Sequence, residues 1–217
     1  MNKVTILAYH IHSDSLPLED YAHLIAPARL NQLKRFRPDD QLRSLCGDLL
    51  VLNALKGQIA EPPLPLQYAV IENGKPYLPG FPYFHFNVSH SGNWVLCASG
   101  SQPIGIDIQQ ERPIKPALLR RALSSQEQAF LNTTSTAKRL STFFDLWCLK
   151  EAYCKATGLG LMLPLNSFTV SLSPASISDK AYCVSPVPFS RPNYHVGLCI
   201  KGHEAPQIEL NILTHIK

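Results

Sequence analysis

Residues 104–109 read Ile104-Gly105-Ile106-Asp107-Ile108-Gln109. The isoleucines recur at every second position, the period of a β-strand, so they share one face while Gly105, Asp107 and Gln109 share the other. The isoleucine face needs a core to cover it. On the other face, a glycine beside a carboxylate leaves room for close approach, read here as room for a ligand. A solvated strand face has the same appearance when the aspartate is taken alone.

Downstream, the stretch 137–157 has helical periodicity. Phe143, Trp147 and Glu151 are spaced by four, with Lys155 a further turn along and Lys150 adjacent to Glu151. A carboxylate beside that bulky apolar stripe is costly unless it meets a cation or a hydrogen-bond donor. As a surface i,i+4 pair, Glu151–Lys155 contributes only roughly a few tenths of a kcal/mol. As site groups, Glu151 holds a metal and Lys155 neutralises a phosphate. Gly158 and Gly160 end the helix in a left-handed turn. Asp107 and Glu151 sit on separate elements with no nearby His or Cys ligand, a donor set that suits a hard, oxygen-seeking ion. Magnesium takes one or two such carboxylates and completes its shell with water and substrate phosphates. The chemistry indicated is at a phosphate or pyrophosphate.

Upstream, 85–92 reads HFNVSHSG. Phe86 and Val88 face one way, Asn87 and Ser89 the other, and His90 stands where the strand gives way to a turn. No GxSxG elbow is present, and neighbours on a strand point apart, which argues against a serine nucleophile. Ser89 and His90 suit hydrogen bonds to phosphate oxygens, or a pair satisfied within the core. Asn73-Gly74-Lys75-Pro76 is a tight turn presenting a lysine before a rigid proline. Ser124-Ser125-Gln126-Glu127 is a capping box. His10 and His12 alternate on a first strand with nothing to pair them to a metal.

Around these motifs the chain alternates helices and strands. A basic helix over 27–37 turns Leu30, Leu33 and Phe36 inward. Pro38 stops it, and Asp39 or Asp40 caps a second helix running to about residue 55. A proline-rich loop at 61–66 leads to strands 67–71, 83–89 and 94–98, and 99–103 is turn-like. After strand 104–108 come helices near 116–122, 125–132 and 137–157, then strands at about 166–172, 181–184 and 194–200. The class is α+β, with subdomains 1–102 and 103–217, each of helices packed on a small antiparallel sheet.

Composition narrows the function. The 217 residues are 45% hydrophobic and 17% charged, an ordinary globular balance. A net charge of +4 is too mild for nucleic-acid binding but suits an anionic small molecule or an acidic protein partner. The opening apolar run is too short for a signal peptide, and no run approaches the roughly 18 residues that span a bilayer. The six cysteines show no CxxC spacing, which fits a reducing compartment without structural disulfides. The expectation is a cytoplasmic protein with neither nucleic-acid nor membrane partners.

Four segments, NGKP (73–76), FNVSHS (86–91), IGIDIQ (104–109) and FFDLWCLKEAYCKATGLGL (143–161), in this order and spacing, resemble the surfactin-synthetase-activating type of 4′-phosphopantetheinyl transferase. The resemblance runs from about residue 27 to 170. It implies a pseudo-twofold monomer of two similar α+β halves, with coenzyme A and Mg2+ bound in the cleft between them. The implied reaction moves 4′-phosphopantetheine from coenzyme A to a serine of an apo acyl or peptidyl carrier protein and releases 3′,5′-ADP.

By matching position, Asp107 and Glu151 are the metal carboxylates and Lys155 contacts the pyrophosphate. Ser89 and His90 hold phosphate groups, and Lys75 and Pro76 lie along the adenine end. Arg29, Arg43 and Ser44 stand near the 3′-phosphate. Glu127 is the family-position candidate for taking the serine proton, in competition with its capping-box role. The chief departure is Gln109, where the close family pattern has a third metal carboxylate; Gln32, near a frequent lysine, is a second. The loss at Gln109 motivates the alternative of a non-catalytic coenzyme A or carrier-protein binder. The segment 112–123, with Arg112, Lys115, Arg120 and Arg121 among leucines, either faces an acidic carrier helix or is a solvated amphipathic helix.

Overall fold

The computed structural model describes residues 2–12 and 16–216. In chain order the elements are β1 (Lys3–His10), α1 (Leu18–Tyr21), α2 (Pro27–Leu33), α3 (Pro38–Lys56), β2 (Ala69–Val70), β3 (Pro76–Tyr77), β4 (His85–Ser91), β5 (Trp94–Gly100) and β6 (Ile104–Gln110). They continue as α4 (Pro116–Ala122), α5 (Ser125–Thr133), α6 (Thr136–Thr157), β7 (Val170–Leu172), β8 (Ala175–Ile177), β9 (Tyr182–Pro186), β10 (Tyr194–Lys201) and β11 (Gln207–Leu213).

Two sheets form the centre. One has the order β11-β1-β5-β4 and the other β6-β10-β9. Alternation along the strands distributes their side chains between layers. Val4, Ile6 and Ala8 of β1 meet Ile104, Ile106 and Ile108 of β6 in a core between the two sheets. On the outer face of the first sheet, Leu7, Tyr9, Val95 and Cys97 pack under α3. On the outer face of the second, Phe143, Leu149, Ala152 and Ala156 of α6 cover Cys199 and Val184. The result is an α/β/β/α stack of two α+β halves related by a pseudo-twofold, each with one long helix across one sheet.

Several boundaries differ from the sequence expectations, for local reasons. The helix expected over 27–37 stops at Leu33, because Arg37 precedes Pro38 and is held extended, at φ −63° and ψ 152°. Phe36, expected inward, is exposed as a result. Pro38 itself opens α3, and Asp39 and Asp40 lie in its first turn, where their charge suits the helix dipole. The strand at 67–71 shrinks to β2, which pairs with β3 around the Asn73-Gly74 turn, Gly74 having φ +83°. The strand at 166–172 keeps only β7, in a hairpin with β8.

The first six of the seven residues of β11 alternate polar and apolar, and they form a full strand that the sequence reading passed over. It pairs in parallel with β1, so the first sheet includes a strand from far beyond residue 102. No described helix is long and apolar enough to cross a membrane. All six cysteines are free.

Candidate active site

The site begins with the way α6 lies on the second sheet. A Cβ on Gly105 would collide with the carbonyl oxygen of Ala152 and come within 2.5 Å of the Ala156 nitrogen. A Cβ on Gly197, paired with Asp107 across β6 and β10, would come within 2.5 Å of the Cys148 carbonyl carbon. The room beside Asp107, read from sequence as room for a ligand, is therefore filled by the backbone of α6. That close approach carries Glu151 and Lys155 to the strand that bears Asp107.

Asp107 is 2% exposed and fully engaged. Its Oδ1 accepts from Lys155 Nζ at 2.6 Å and Ser89 Oγ at 2.9 Å, and its Oδ2 accepts from Gln109 Nε2 at 3.0 Å. Lys155 Nζ also donates to Ser89 Oγ at 2.9 Å and to the Ile106 carbonyl at 3.0 Å. Burial pushes the Glu151 carboxyl up, the neighbouring Asp107 charge pushes the same way, and Lys155 opposes both. Two carboxylates close enough to repel, already balanced by one ammonium, form a site with a demand for positive charge. The described residues contain no cluster of three or more His, Cys, Asp or Glu side chains that would hold a metal. Two carboxylates and the amide of Gln109 fit an ion that draws much of its shell from water and phosphate, as magnesium does.

The phosphate-binding candidates divide. His90, near the end of β4, keeps one face open to solvent; desolvation of the rest of its ring lowers its pKa, Arg43 and Lys155 lower it further, and Asp40 and Asp107 act oppositely. Arg43, His90 and Lys155 thus converge from α3, β4 and α6 into one basic corner, an arrangement suited to an anion. Arg43 donates through Nε to the Gly92 carbonyl at 3.2 Å and pairs with Asp40 at 3.2 Å. Ser44 follows it on α3, partly buried.

Arg29 is committed elsewhere, to Asp48 at 2.9 Å and Gln32 at 2.7 Å. Ser89 lies at the buried Asp107 end of the strand, 5% exposed. Pro76 lines a cavity of about 340 Å³ between the halves, with Ile71, Phe84, Gly158 and Tyr182. The Lys75 ammonium donates to the carbonyls of Ile104, Lys155 and Ala156, and burial pushes it down to about 8.

Glu127 sits apart from this corner in a closed network. Ser124 Oγ accepts from its N–H, and its Oε2 accepts from the Ser124 N–H at 2.7 Å, completing the capping box. Both carboxylate oxygens lie 2.7 Å from Lys150 Nζ, and Oε1 accepts from the Val170 N–H at 2.7 Å. The geometry favours the cap over the base, since every part of the carboxylate is engaged away from solvent.

Two groups in this region were missed in the sequence. Lys150 was noted only as a neighbour of Glu151, although a lysine on the apolar side of a helix signals a buried partner. His195 lies between Asp145, 2.6 Å from its Nδ1, and Glu111, 2.9 Å from its Nε2. No spacing links those three.

Comparison with known proteins points to one family. Residues 103–199 match the family model of the 4′-phosphopantetheinyl transferase superfamily, and residues 17–102 match that of the 4′-phosphopantetheinyl transferase N-terminal region. The chain is 39% identical over 155 residues to 4′-phosphopantetheinyl transferase Sfp of Bacillus subtilis (strain 168), covering 71% of this chain and 69% of that protein. A 4′-phosphopantetheinyl transferase of Bacillus pumilus is 35% identical over 184 residues, 81% of this chain and 77% of its own. Among solved structures, holo-[acyl-carrier-protein] synthase of Thermotoga maritima aligns with a TM-score of 0.39 and 21% identity, covering 47% of this chain and 64% of that one. The chain belongs to the 4′-phosphopantetheinyl transferase superfamily.

Proposed function

We propose that this protein transfers 4′-phosphopantetheine from coenzyme A to a serine of an apo acyl or peptidyl carrier protein, using Mg2+ held by Asp107 and Glu151 with Gln109 beside them. The observation that carries the reading is the convergence of two carboxylates from β6 and α6 with a basic corner made by Arg43, His90 and Lys155. A diphosphate needs both: cations for its oxygens and carboxylates that would hold a divalent ion beside it. When bound, the metal supplies charge neutralisation at the diphosphate.

The protein's own groups do the rest. Lys155 exchanges its contact with Asp107 for a phosphate oxygen and stabilises charge on the departing 3′,5′-ADP. Arg43 and His90 orient the coenzyme from the first half. The carrier serine oxygen bonds to the β-phosphorus as the bond to the α-phosphate oxygen breaks, and the serine proton passes to water in the open cleft. Such transfers depend mostly on positioning and electrostatics, so Glu127 is not needed as a base.

The carrier approaches over the segment that follows β6. A groove of about 320 Å³ runs from Gln109 past Arg112, Lys115 and Arg121 to Phe144 and Trp147, joining basic and apolar surface next to the metal strand. Arg112, Lys115, Arg120 and Arg121 are exposed there, as docking of an acidic helix requires. One chain contributes both walls of the cleft, from subdomains 1–102 and 103–217, which supports action as a monomer.

Intact-mass spectrometry of an apo acyl carrier protein incubated with this protein, coenzyme A and Mg2+ tests the proposal. A gain of one phosphopantetheinyl group, lost with EDTA, is expected. Coenzyme A binding with no gain on any carrier would point to a binder instead.

A further inference from the structure

Among the described residues the edge of β6 that faces the first half has no hydrogen-bonded strand beside it, yet three of its N–H groups and two of its carbonyls are met by side chains. Ile106, Ile108 and Gln110 donate their N–H groups to Asn87 Oδ1 at 2.9 Å, Ser89 Oγ at 3.3 Å and Ser91 Oγ at 2.9 Å. The separation is 19 residues at each rung, so β4 and β6 run in the same direction. Side-chain oxygens spaced two apart stand where a parallel neighbour's carbonyls would otherwise be. Two carbonyls of this edge go to lysines: Ile106 O accepts from Lys155 at 3.0 Å, and Ile104 O from Lys75 at 2.8 Å.

Lys75 completes the seam. An ammonium has three N–H donors. Those of Lys75 go to Ile104 O at 2.8 Å, Lys155 O at 2.7 Å and Ala156 O at 3.3 Å. The last two carbonyls belong to the final turn of α6, where unpaired carbonyls collect and the helix dipole is negative. One ammonium therefore ties β6, close before Asp107, to α6, close after Glu151. Its own backbone is fixed by the Asn73-Gly74 turn, in which Ile71 N–H donates to Lys75 O at 3.0 Å and Gly74 N–H donates to Ile71 O at 2.8 Å.

We propose that Lys75 is a positioning residue: from the first half it sets the spacing of Asp107 on β6 against Glu151 and Lys155 on α6, and its ammonium does not contact coenzyme A. This rests on the reading of Asp107 and Glu151 as magnesium ligands. Matching position alone gives Lys75 to the adenine end of the coenzyme. With all three donors engaged by carbonyls, only its backbone and Pro76 are left for that contact. The contribution is indirect: a small displacement of β6 against α6 moves both carboxylates relative to the diphosphate, and misplacement of about 1 Å can cost on the order of a hundredfold in rate.

The test uses Lys75→Met and the milder Lys75→Arg, which keeps a charge and several donors. Coenzyme A affinity is measured by calorimetry without metal, Mn2+ affinity by titration without coenzyme, and turnover on an apo acyl carrier protein. For Lys75→Met, kcat is expected to fall about tenfold or more and Mn2+ to bind more weakly, with the coenzyme A Kd within about twofold of wild type. Lys75→Arg is expected to show the same pattern, attenuated. If Lys75→Met does not fold, the pattern in Lys75→Arg decides. A coenzyme A Kd raised about tenfold with kcat unchanged would make Lys75 a coenzyme ligand and overturn the proposal. A lowered melting temperature with kcat and both affinities unchanged would reduce Lys75 to a purely structural role, which also overturns it. Asp107→Asn is run in parallel: if it keeps Mn2+ binding and turnover, the metal-site reading fails whatever Lys75 does.

Discussion

Helix α6 carries two lysine–carboxylate pairs of nearly equal length and opposite character. On one side Lys150 meets Glu127 at 2.7 Å, with side chains 0% and 1% exposed. On the other Lys155 meets Asp107 at 2.6 Å, with Lys155 26% exposed. Distance does not separate them; surroundings do. The first pair is closed by the capping box, the Val170 N–H and the Phe168 carbonyl, so nothing remains for a ligand. The second borders a second carboxylate, Glu151, and the basic corner of Arg43 and His90, so its ammonium has somewhere else to go. A buried ion pair fully met by protein fixes structure, whereas one beside surplus charge of both signs is available for chemistry.

Breaking each pair separately gives the largest effects. Asp107→Asn is expected to lower kcat/KM about a hundred- to a thousandfold, measured by steady-state transfer, while the urea midpoint stays close to wild type. Glu127→Gln is expected to cost about 3–5 kcal/mol of stability in urea unfolding, because it leaves Lys150 buried without its counter-charge. The pH profile of kcat for that variant is expected to keep its shape, as the capping role of Glu127 requires. Loss of a pH limb would restore the base role.

A smaller change sharpens the open pair. Gln109→Glu returns a carboxylate beside Asp107 and is expected to lower the magnesium concentration for half-maximal turnover roughly tenfold, equivalent to about 1.4 kcal/mol. An unchanged value would put Gln109 outside the metal's surroundings.

The smallest effect lies at the rim, at His195. Burial by itself would lower the pKa of this imidazole, but hydrogen bonds and charge from Asp145 and Glu111 reverse that and leave it raised above 6.5. The stabilisation is fully present below the unfolded value near 6.5 and is lost as pH rises through the raised folded value. With both partners partly exposed, it amounts to about 1 kcal/mol or less. His195→Asn is expected to flatten that part of the stability–pH curve; an unaltered slope would mean the bracket does not titrate in that range.

The same contrast explains what the sequence revealed. The isoleucine alternation at 104–108 and the four-residue spacing of Phe143, Trp147 and Glu151 reflect local geometry, so the strand β6, the long helix and the α+β class were legible. The capping box at Ser124–Glu127 was legible for the same reason. The partners across the chain were not. Nothing near Glu127 announces Lys150, nothing near Lys75 announces three carbonyls on two distant elements, and Gly105 looks alike whether a ligand or a helix fills its space. β11 had the right alternation, but its place beside β1 is a long-range pairing that no local pattern encodes.

Lys155→Met and Lys150→Met, assayed side by side for carrier-protein turnover and urea midpoint, test the distinction most directly. Lys155→Met is predicted to lose about a hundredfold in turnover where it is folded, and Lys150→Met to lose stability while turning over normally where it is folded. Equal loss of turnover in both folded variants, or full turnover in Lys155→Met, would contradict the account.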